Sequence, residues 1–352
     1  MIRKIFFSFA LLLSATMTFA QESTVKMETR TFSIIGKDTL KLDTYYNQSN
    51  QTNQSNQTNL PKRPVLVHIH GGGFVGGSRI NAAQEVFCRY MAEHGWLVIN
   101  TDYRLAGIHV NDDKTISNPY NVKGELEGIR LACADVIDAI NYSLKQKEWN
   151  ADPNIVCLVG GSAGACTSLQ IEYDLCNDVD YTKKLDPSVK IKGVISQSGC
   201  ISEKADTIKW AKKPCPIMSF HGDKDFIIPD TTSNTWGPDF IINCKFFGPA
   251  YYLKQLQDMG VSYWKWTEWG TDHVMAMKPL THYLEEQYRF LTDFCIGGLQ
   301  SVTLTDVHDK EPASMKDVPA MIKYVPLYIL GYGKYLNEID WNNIEKPKSI
   351  VY

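Results

Sequence analysis

The chain has 352 residues, a formal net charge of -3 and a hydrophobic fraction of 44%, enough for one large domain or two ordinary ones with a sizeable core. So mild an acidity gives no reason to expect a nucleic-acid partner. The nine cysteines are scattered, without C-x-x-C pairs or metal-type spacing, which argues against a zinc site or a dithiol redox motif.

At the N-terminus, Arg3 and Lys4 precede an apolar stretch from Ile5 to Leu13, and Thr18-Phe19-Ala20 offers small residues where a signal peptidase reads. Residues 1–20 are therefore expected to be a removable secretory signal, with a secreted or periplasmic product. The apolar stretch is too short to span a bilayer, so no membrane span is expected after removal. Loss of Arg3 and Lys4 takes the charge from -3 to -5 and leaves 332 residues (352 minus 20).

Thr31–Ile35 and Thr39–Tyr46 alternate around Gly36-Lys37-Asp38, the pattern of an opening hairpin. Residues 47–58 then repeat Asn-Gln-Ser-Asn-Gln-Thr twice, and a tract this polar predicts a solvated, disordered loop over 47–59. From Val65 onward strands and helices alternate. Val65–Ile69 and Leu97–Asn100 read as strands around a helix at 82–94 stopped by Gly95; a helix at 129–144 precedes the apolar strand Ile155–Val159. Further strands are predicted at 192–196, 217–220 and 261–266. This alternation implies an α/β domain with a mainly parallel sheet covered by helices on both faces, and ligands of such sheets bind beyond the carboxyl ends of the strands.

Chemistry gathers at those ends. After Ile155–Val159 the chain enters Gly160-Gly161-Ser162-Ala163-Gly164 and then a helix, so Ser162 is expected on a strained turn whose glycines leave room where strand and helix crowd. A serine hydroxyl is a weak nucleophile that needs a base, which in turn needs an orienting acid. His221-Gly222-Asp223-Lys224-Asp225 follows one later strand and Gly270-Thr271-Asp272-His273 the next, giving the order serine, acid, histidine. Asp225 is the expected acid, with Asp223 and Asp272 as competitors. His70-Gly71-Gly72-Gly73-Phe74 follows the Val65 strand, where glycines let backbone N–H groups approach a developing oxyanion. Gly71, Gly73 and Gly76 also satisfy G-x-G-x-x-G, and Asp102 stands where a ribose-binding acid would. A NAD-dependent oxidoreductase is thus a rival reading, but it leaves Ser162, Asp225 and His273 unexplained. His68 and His70 share one side of their strand, yet no third ligand follows, so neither metal nor cofactor is expected.

His70–Phe74, Asp102-Tyr103-Arg104-Leu105, Asp152-Pro153, Gly160–Gly164, His221-Gly222-x-x-Asp225 and Asp272-His273 together resemble the α/β-hydrolase carboxylesterases, especially the hormone-sensitive-lipase-like and bacterial feruloyl/acetyl esterase branches. The likeness runs from about residue 30 to 295. It implies an α/β-hydrolase fold and a triad of Ser162, Asp225 and His273. It further implies an oxyanion hole from Gly72, Gly73 and Ala163, with His70 and Arg104 as structural braces, and a serine esterase acting on small-acyl esters of a small molecule or carbohydrate. A lipase or peptidase of the same fold and a non-catalytic binding protein are the alternatives. The implied catalytic domain covers 21–298, and 299–352 form an extension, in which Tyr324, Tyr328 and Tyr332 recur at helical spacing. Two connections are longer than a plain strand-to-helix turn: Arg104 to Ile129, and the stretch after Asp225 with Trp236, Phe240, Phe246 and Phe247. The second is expected to form either a partial cap or a satellite apolar cluster. Phe74, Trp236 and Trp269 are candidate pocket residues, whereas Trp264 and Trp266 read as core.

Overall fold

The computed structural model describes residues 24–48, 61–107, 109–110, 116–234 and 244–315. The expected signal, nearly all of the polar loop, Trp236, Phe240, Tyr324, Tyr328 and Tyr332 lie outside the described residues.

The opening hairpin is longer than the alternation suggests. β1 (Val25–Ile35) and β2 (Asp38–Asn47) pair antiparallel and turn at Gly36, whose φ of +60° suits glycine. β3 (Arg63–Ile69), α1 (Ala82–Glu93) and β4 (Leu97–Thr101) come next, α1 being capped by the Asn81 side chain and ended before Gly95 at φ +94°. The described part of the long connection after Arg104 carries the two-residue strands β5 (His109–Val110) and β6 (Ile116–Ser117), paired antiparallel. α2 (Glu125–Leu144) starts a turn earlier than predicted, and β7 (Ala151–Gly161) leads directly into α3 (Ala163–Cys176). β8 (Ile191–Gln197), β9 (Ile201–Glu203), β10 (Ile217–Gly222), β11 (Thr232–Asn234), β12 (Lys245–Phe247), α4 (Pro249–Asp258) and β13 (Tyr263–Trp269) follow. Two short helices, α5 (Pro279–His282) and α6 (Leu284–Arg289), precede a π turn at Phe290–Ile296 and a last strand, β14 (Val302–His308).

Nine strands form one sheet in the order β1-β2-β4-β3-β7-β8-β10-β13-β14, with β1, β2 and β4 joined antiparallel and every pair from β4 to β14 parallel. Apolar cores lie on both faces, one built with α2, α3 and α4 and the other with α1 and the chain from α5 to the π turn. Burial on both faces explains why β7 reads as a continuous apolar run. The fold is the α/β-hydrolase arrangement. No helix among the described residues is long and apolar enough to cross a membrane.

The chain does not leave the sheet at Gly298. β14 extends it by one parallel strand beside β13, so the first part of the C-terminal extension belongs to the sheet, while the tyrosines at helical spacing lie outside the described residues. The stretch after Asp225 supplies β11 and β12, which join β9 in a separate three-stranded antiparallel sheet. Phe247 is fully buried there against Tyr251.

Candidate active site

The turn from β7 to α3 is as crowded as its glycines suggest. A Cβ on Gly160 would collide with Gly164, and one on Gly164 with the carbonyl of Ile69. Ser162 takes φ +52° and ψ -120°, a backbone that costs a non-glycine residue roughly 1–3 kcal/mol and persists only where its surroundings enforce it. Two backbone bonds do so: the Ser162 N–H donates to the Gln197 carbonyl at 2.9 Å, and its own carbonyl accepts the Cys166 N–H at 2.9 Å.

Ser162 Oγ stands 2.8 Å from His273 Nε2, and His273 Nδ1 stands 2.7 Å from Asp225 Oδ2. With Nδ1–H donating to the carboxylate, Nε2 is left to accept the serine proton, the tautomer this network requires. Asp225 is almost fully buried, and its Oδ1 accepts the N–H groups of Ile227 and Ile228 at 3.0 and 2.9 Å. Burial by itself would raise its pKa. The neighbouring His273 and His221 and the Ile228 N–H outweigh that and hold it below the ordinary carboxylate value. His221 Nε2 donates to the Ile228 carbonyl at 2.7 Å and so closes the acid turn from behind.

The competing acids have other work. Asp223 accepts the Gly270 N–H and pairs with Lys224 at 2.6 Å, tying the acid turn to the histidine loop. Asp272 caps the short turn that carries His273 by accepting the Val274 N–H at 3.0 Å.

The glycine loop after β3 abuts the serine turn. A Cβ on Gly71 would lie 2.9 Å from the Gly161 carbonyl and 3.3 Å from Ser162 Cβ, while Gly72 and Gly73 take φ of +122° and +62°. Among the described residues no acceptor is bonded to the N–H groups of Gly72, Gly73 or Ala163. These three N–H groups are thereby left without an acceptor within the described protein, as donors reserved for a ligand would be. The loop is braced from below: His70 stacks on Tyr103 at 4.3 Å, Tyr103 donates its hydroxyl to the His70 carbonyl at 2.9 Å, and Arg104 grips the buried Asp135 at 2.6–3.1 Å.

Several sequence expectations are corrected here. Because β3 ends at Ile69, His70 escapes the pleat, and the two histidines do not share a side. His68 sits against Phe87 and 2.9 Å from Asn100, with burial lowering its pKa to about 4, whereas His70 stacks on Tyr103. Asp102 is engaged by Arg79 at 2.9 Å rather than open to a ribose. Phe74, at φ +62°, is a core side chain tilted against Tyr103, not an open pocket wall. Trp269 is not in a loop: β13 runs three residues further than predicted and ends on it. Its indole N–H donates to Asp306 on β14 at 2.9 Å, and it lines a groove of about 280 Å³ with His221, Asp223, Lys265, Thr267 and Asp306, beside the acid turn. Trp264 and Trp266 pack against Phe294 and Phe220 as core residues. Among the described residues no group of three or more His, Cys, Asp or Glu is arranged to hold a metal ion.

The profile described as "Carboxylesterase family" matches residues 14–213. A curated relative, probable carboxylesterase 11 of Arabidopsis thaliana, is 30% identical over 226 residues, covering 54% of this chain and 48% of that protein. Versiconal hemiacetal acetate esterase of Dothistroma septosporum is 27% identical over 136 residues, 38% of this chain and 33% of that one. The chain thus spans about half or less of the length of these relatives. Among solved structures, esterase 2 of Thermogutta terrifontis, phosphoramylated by tabun, aligns with a TM-score of 0.53 at 19% identity over 78% of this chain and 96% of that one, a likeness of fold.

Proposed function

The chain belongs to the carboxylesterase family, and from that premise we propose that it hydrolyses carboxylic esters of small acyl groups, acetyl or feruloyl groups on carbohydrate among them, through an acyl-enzyme on Ser162. The unbroken hydrogen-bonded line from Ser162 Oγ through His273 to Asp225, at 2.8 and 2.7 Å, carries this reading. Ser162 attacks the ester carbonyl carbon as its proton passes to His273 Nε2, and the new oxyanion is received by the N–H groups of Gly72, Gly73 and Ala163. Collapse expels the alcohol, which takes the proton from His273. Water then attacks the acyl carbon, gives a proton to the same nitrogen, and the acid leaves as Ser162 recovers its own.

Support for a small acyl group comes from the insertion after Asp225, whose described part adds two three-residue strands, β11 and β12, beside β9. The groove beside the acid turn supports a carbohydrate alcohol, since it offers an aromatic wall 44% exposed, Trp269, with hydroxyl, carboxylate and ammonium groups around it. Export of the mature chain, proposed from residues 1–20, fits an extracellular glycan as substrate.

The test compares wild type and Ser162→Ala on p-nitrophenyl esters from acetyl to octanoyl, beside acetylated xylan and feruloyl esters. Turnover should be lost by about 10³-fold or more in the variant, and acetyl should exceed octanoyl. Absence of Ser162-dependent turnover on every ester sinks the proposal, and a preference for octanoyl overturns its acyl assignment.

A further inference from the structure

The imidazole that serves Ser162 is carried on a short turn, and that turn is gripped from outside by the end of the last strand, β14, and the chain that follows it. Asp272, immediately before His273, is nearly buried, and its carboxylate is fully used. Oδ1 accepts the Val274 N–H at 3.0 Å, Oδ2 accepts the Ser314 hydroxyl at 2.7 Å, and the Met315 N–H is shared between both oxygens at 2.9 and 3.1 Å. One side chain therefore caps the turn bearing His273 and ties that turn to a segment 42 residues away. Donors to a charged acceptor make the stronger class of hydrogen bond.

The grip extends to both sides of Asp272. On one side, Trp269 donates to Asp306 at 2.9 Å and its ring lies parallel to that of His308. Next to it, Gly270 at φ +81° lies under Pro312, so that a Cβ there would be 2.9 Å from Pro312 Cγ. On the other side, Lys278 reaches Asp309 at 3.4 Å while also pairing with Glu268, which itself accepts the Thr271 and Tyr283 hydroxyls from within. Residues 306–315 thus contact the end of β13 at 269 and the loop after it at 270, 272 and 278, bracketing His273, and none of these contacts involves Ser162, Asp225 or the glycine loop.

We infer that residues 306–315 form a strap that positions His273 for reaction, acting chiefly through Asp272. The inference rests on the esterase reading above. His273 must keep Nε2 at 2.8 Å from Ser162 and Nδ1 at 2.7 Å from Asp225 together. Its ring pivots on the backbone of 272–274, so a shift of that backbone spoils both distances at once. A misplacement of about 1 Å can cost on the order of 10²-fold in rate. The N–H groups proposed to receive the ester lie on other elements, so the loss should fall on kcat and leave KM in place. A strap that only sealed the edge of the sheet would alter thermal stability and not kcat.

The experiment measures kcat and KM on p-nitrophenyl acetate for wild type, Ser162→Ala, Asp272→Asn, Ser314→Ala and the Asp272→Asn/Ser314→Ala double variant, per mole of folded protein, with active sites of the variants that retain Ser162 also counted by a serine-directed phosphonate. All are assayed well below their melting midpoints. Asp272→Asn should lower kcat by about 10- to 100-fold with KM changed less than about twofold, and Ser314→Ala by about 3- to 10-fold. Because Ser314 acts through the Asp272 carboxylate, the double variant should be no slower than Asp272→Asn alone, whereas independent effects would multiply. Unchanged kcat in both single variants, a loss confined to KM, or multiplying effects in the double variant overturns the strap. A wild type no faster than Ser162→Ala on this ester and on every other ester of the series above overturns the esterase reading itself, and the strap falls with it.

Discussion

Asp225 is almost fully buried and yet holds a charge, because each of its oxygens has a defined donor: two backbone N–H groups on one and the imidazole on the other. Burial opposes that charge, and the donors with the nearby His221 overcome it, so the folded pKa lies below the ordinary value of 3.8. A depressed carboxylate contributes stability that is present above its unfolded pKa and is lost as pH falls through the folded value. Asp225→Asn should therefore lower kcat by about 10³- to 10⁴-fold, since the amide no longer enforces the reactive tautomer. It should also reduce the melting temperature more at pH 6 than at pH 3; an equal reduction at both would show that the carboxylate carries no such charge. Serine, acid and histidine were legible in the sequence because each follows a strand of the same sheet. The choice among Asp223, Asp225 and Asp272 was only partly so, since all three sit in the same two loops. What separates them is which donors the folded chain supplies, and two of the donors to Asp272, Ser314 and Met315, lie in a stretch with no sequence signal of its own.

The start of α2 shows what an element can hide. Its apolar periodicity begins at Ile129, but the helix begins at Glu125, after Gly124, which has no side chain with which to cap it. The end is secured instead by Glu127, whose carboxylate reaches back to accept the Lys123 N–H at 2.6 Å, a one-way tie that hydrophobic spacing does not reveal. The cost falls on Glu125, partly buried, whose pKa burial raises from 4.5 to about 7. A raised carboxyl costs nothing while it is protonated in both states. The penalty appears as pH rises above the unfolded value and is complete once the folded group ionises above about 7. Glu125→Gln should leave the melting temperature unchanged near pH 4 and raise it by a few degrees at pH 8, a gain on the order of 2 kcal/mol. Thermal scans at the two pH values check this, and an equal shift at both would remove ionisation as the cause. At the same scale β14 was readable yet missed: Val302–His308 alternates, but Gly297-Gly298 looked like the end of the fold. The three-residue strands β9, β11 and β12 are too short for any period to show.

For the whole molecule, strand–helix alternation was enough to foresee a parallel sheet with its chemistry at the carboxyl ends, because burial on both faces writes itself into continuous apolar strands. Compartment is a separate question, and here the fold and the proposed export signal are compatible. β1 starts at Val25, so cleavage after Ala20 would leave four residues ahead of the sheet and take none of its strands. Thiol burial fits the same picture: eight of the nine cysteines are buried and Cys215 is partly so, out of reach of most oxidants once the chain has folded. Cys166 and Cys200 nevertheless lie with their sulfurs 3.4 Å apart behind the serine turn, close enough to be joined if oxidation comes before folding is complete. Expression of the full chain in a bacterial host, with fractionation and intact mass measurement, tests export. The product should be recovered outside the cytoplasm beginning at Gln21, and a chain begun at Gln21 behind a new initiator Met should stay inside with the same melting temperature. Recovery of the full chain in the cytoplasm with residues 1–20 still attached would end the export proposal and leave the esterase reading untouched, since no residue of the site lies before β3.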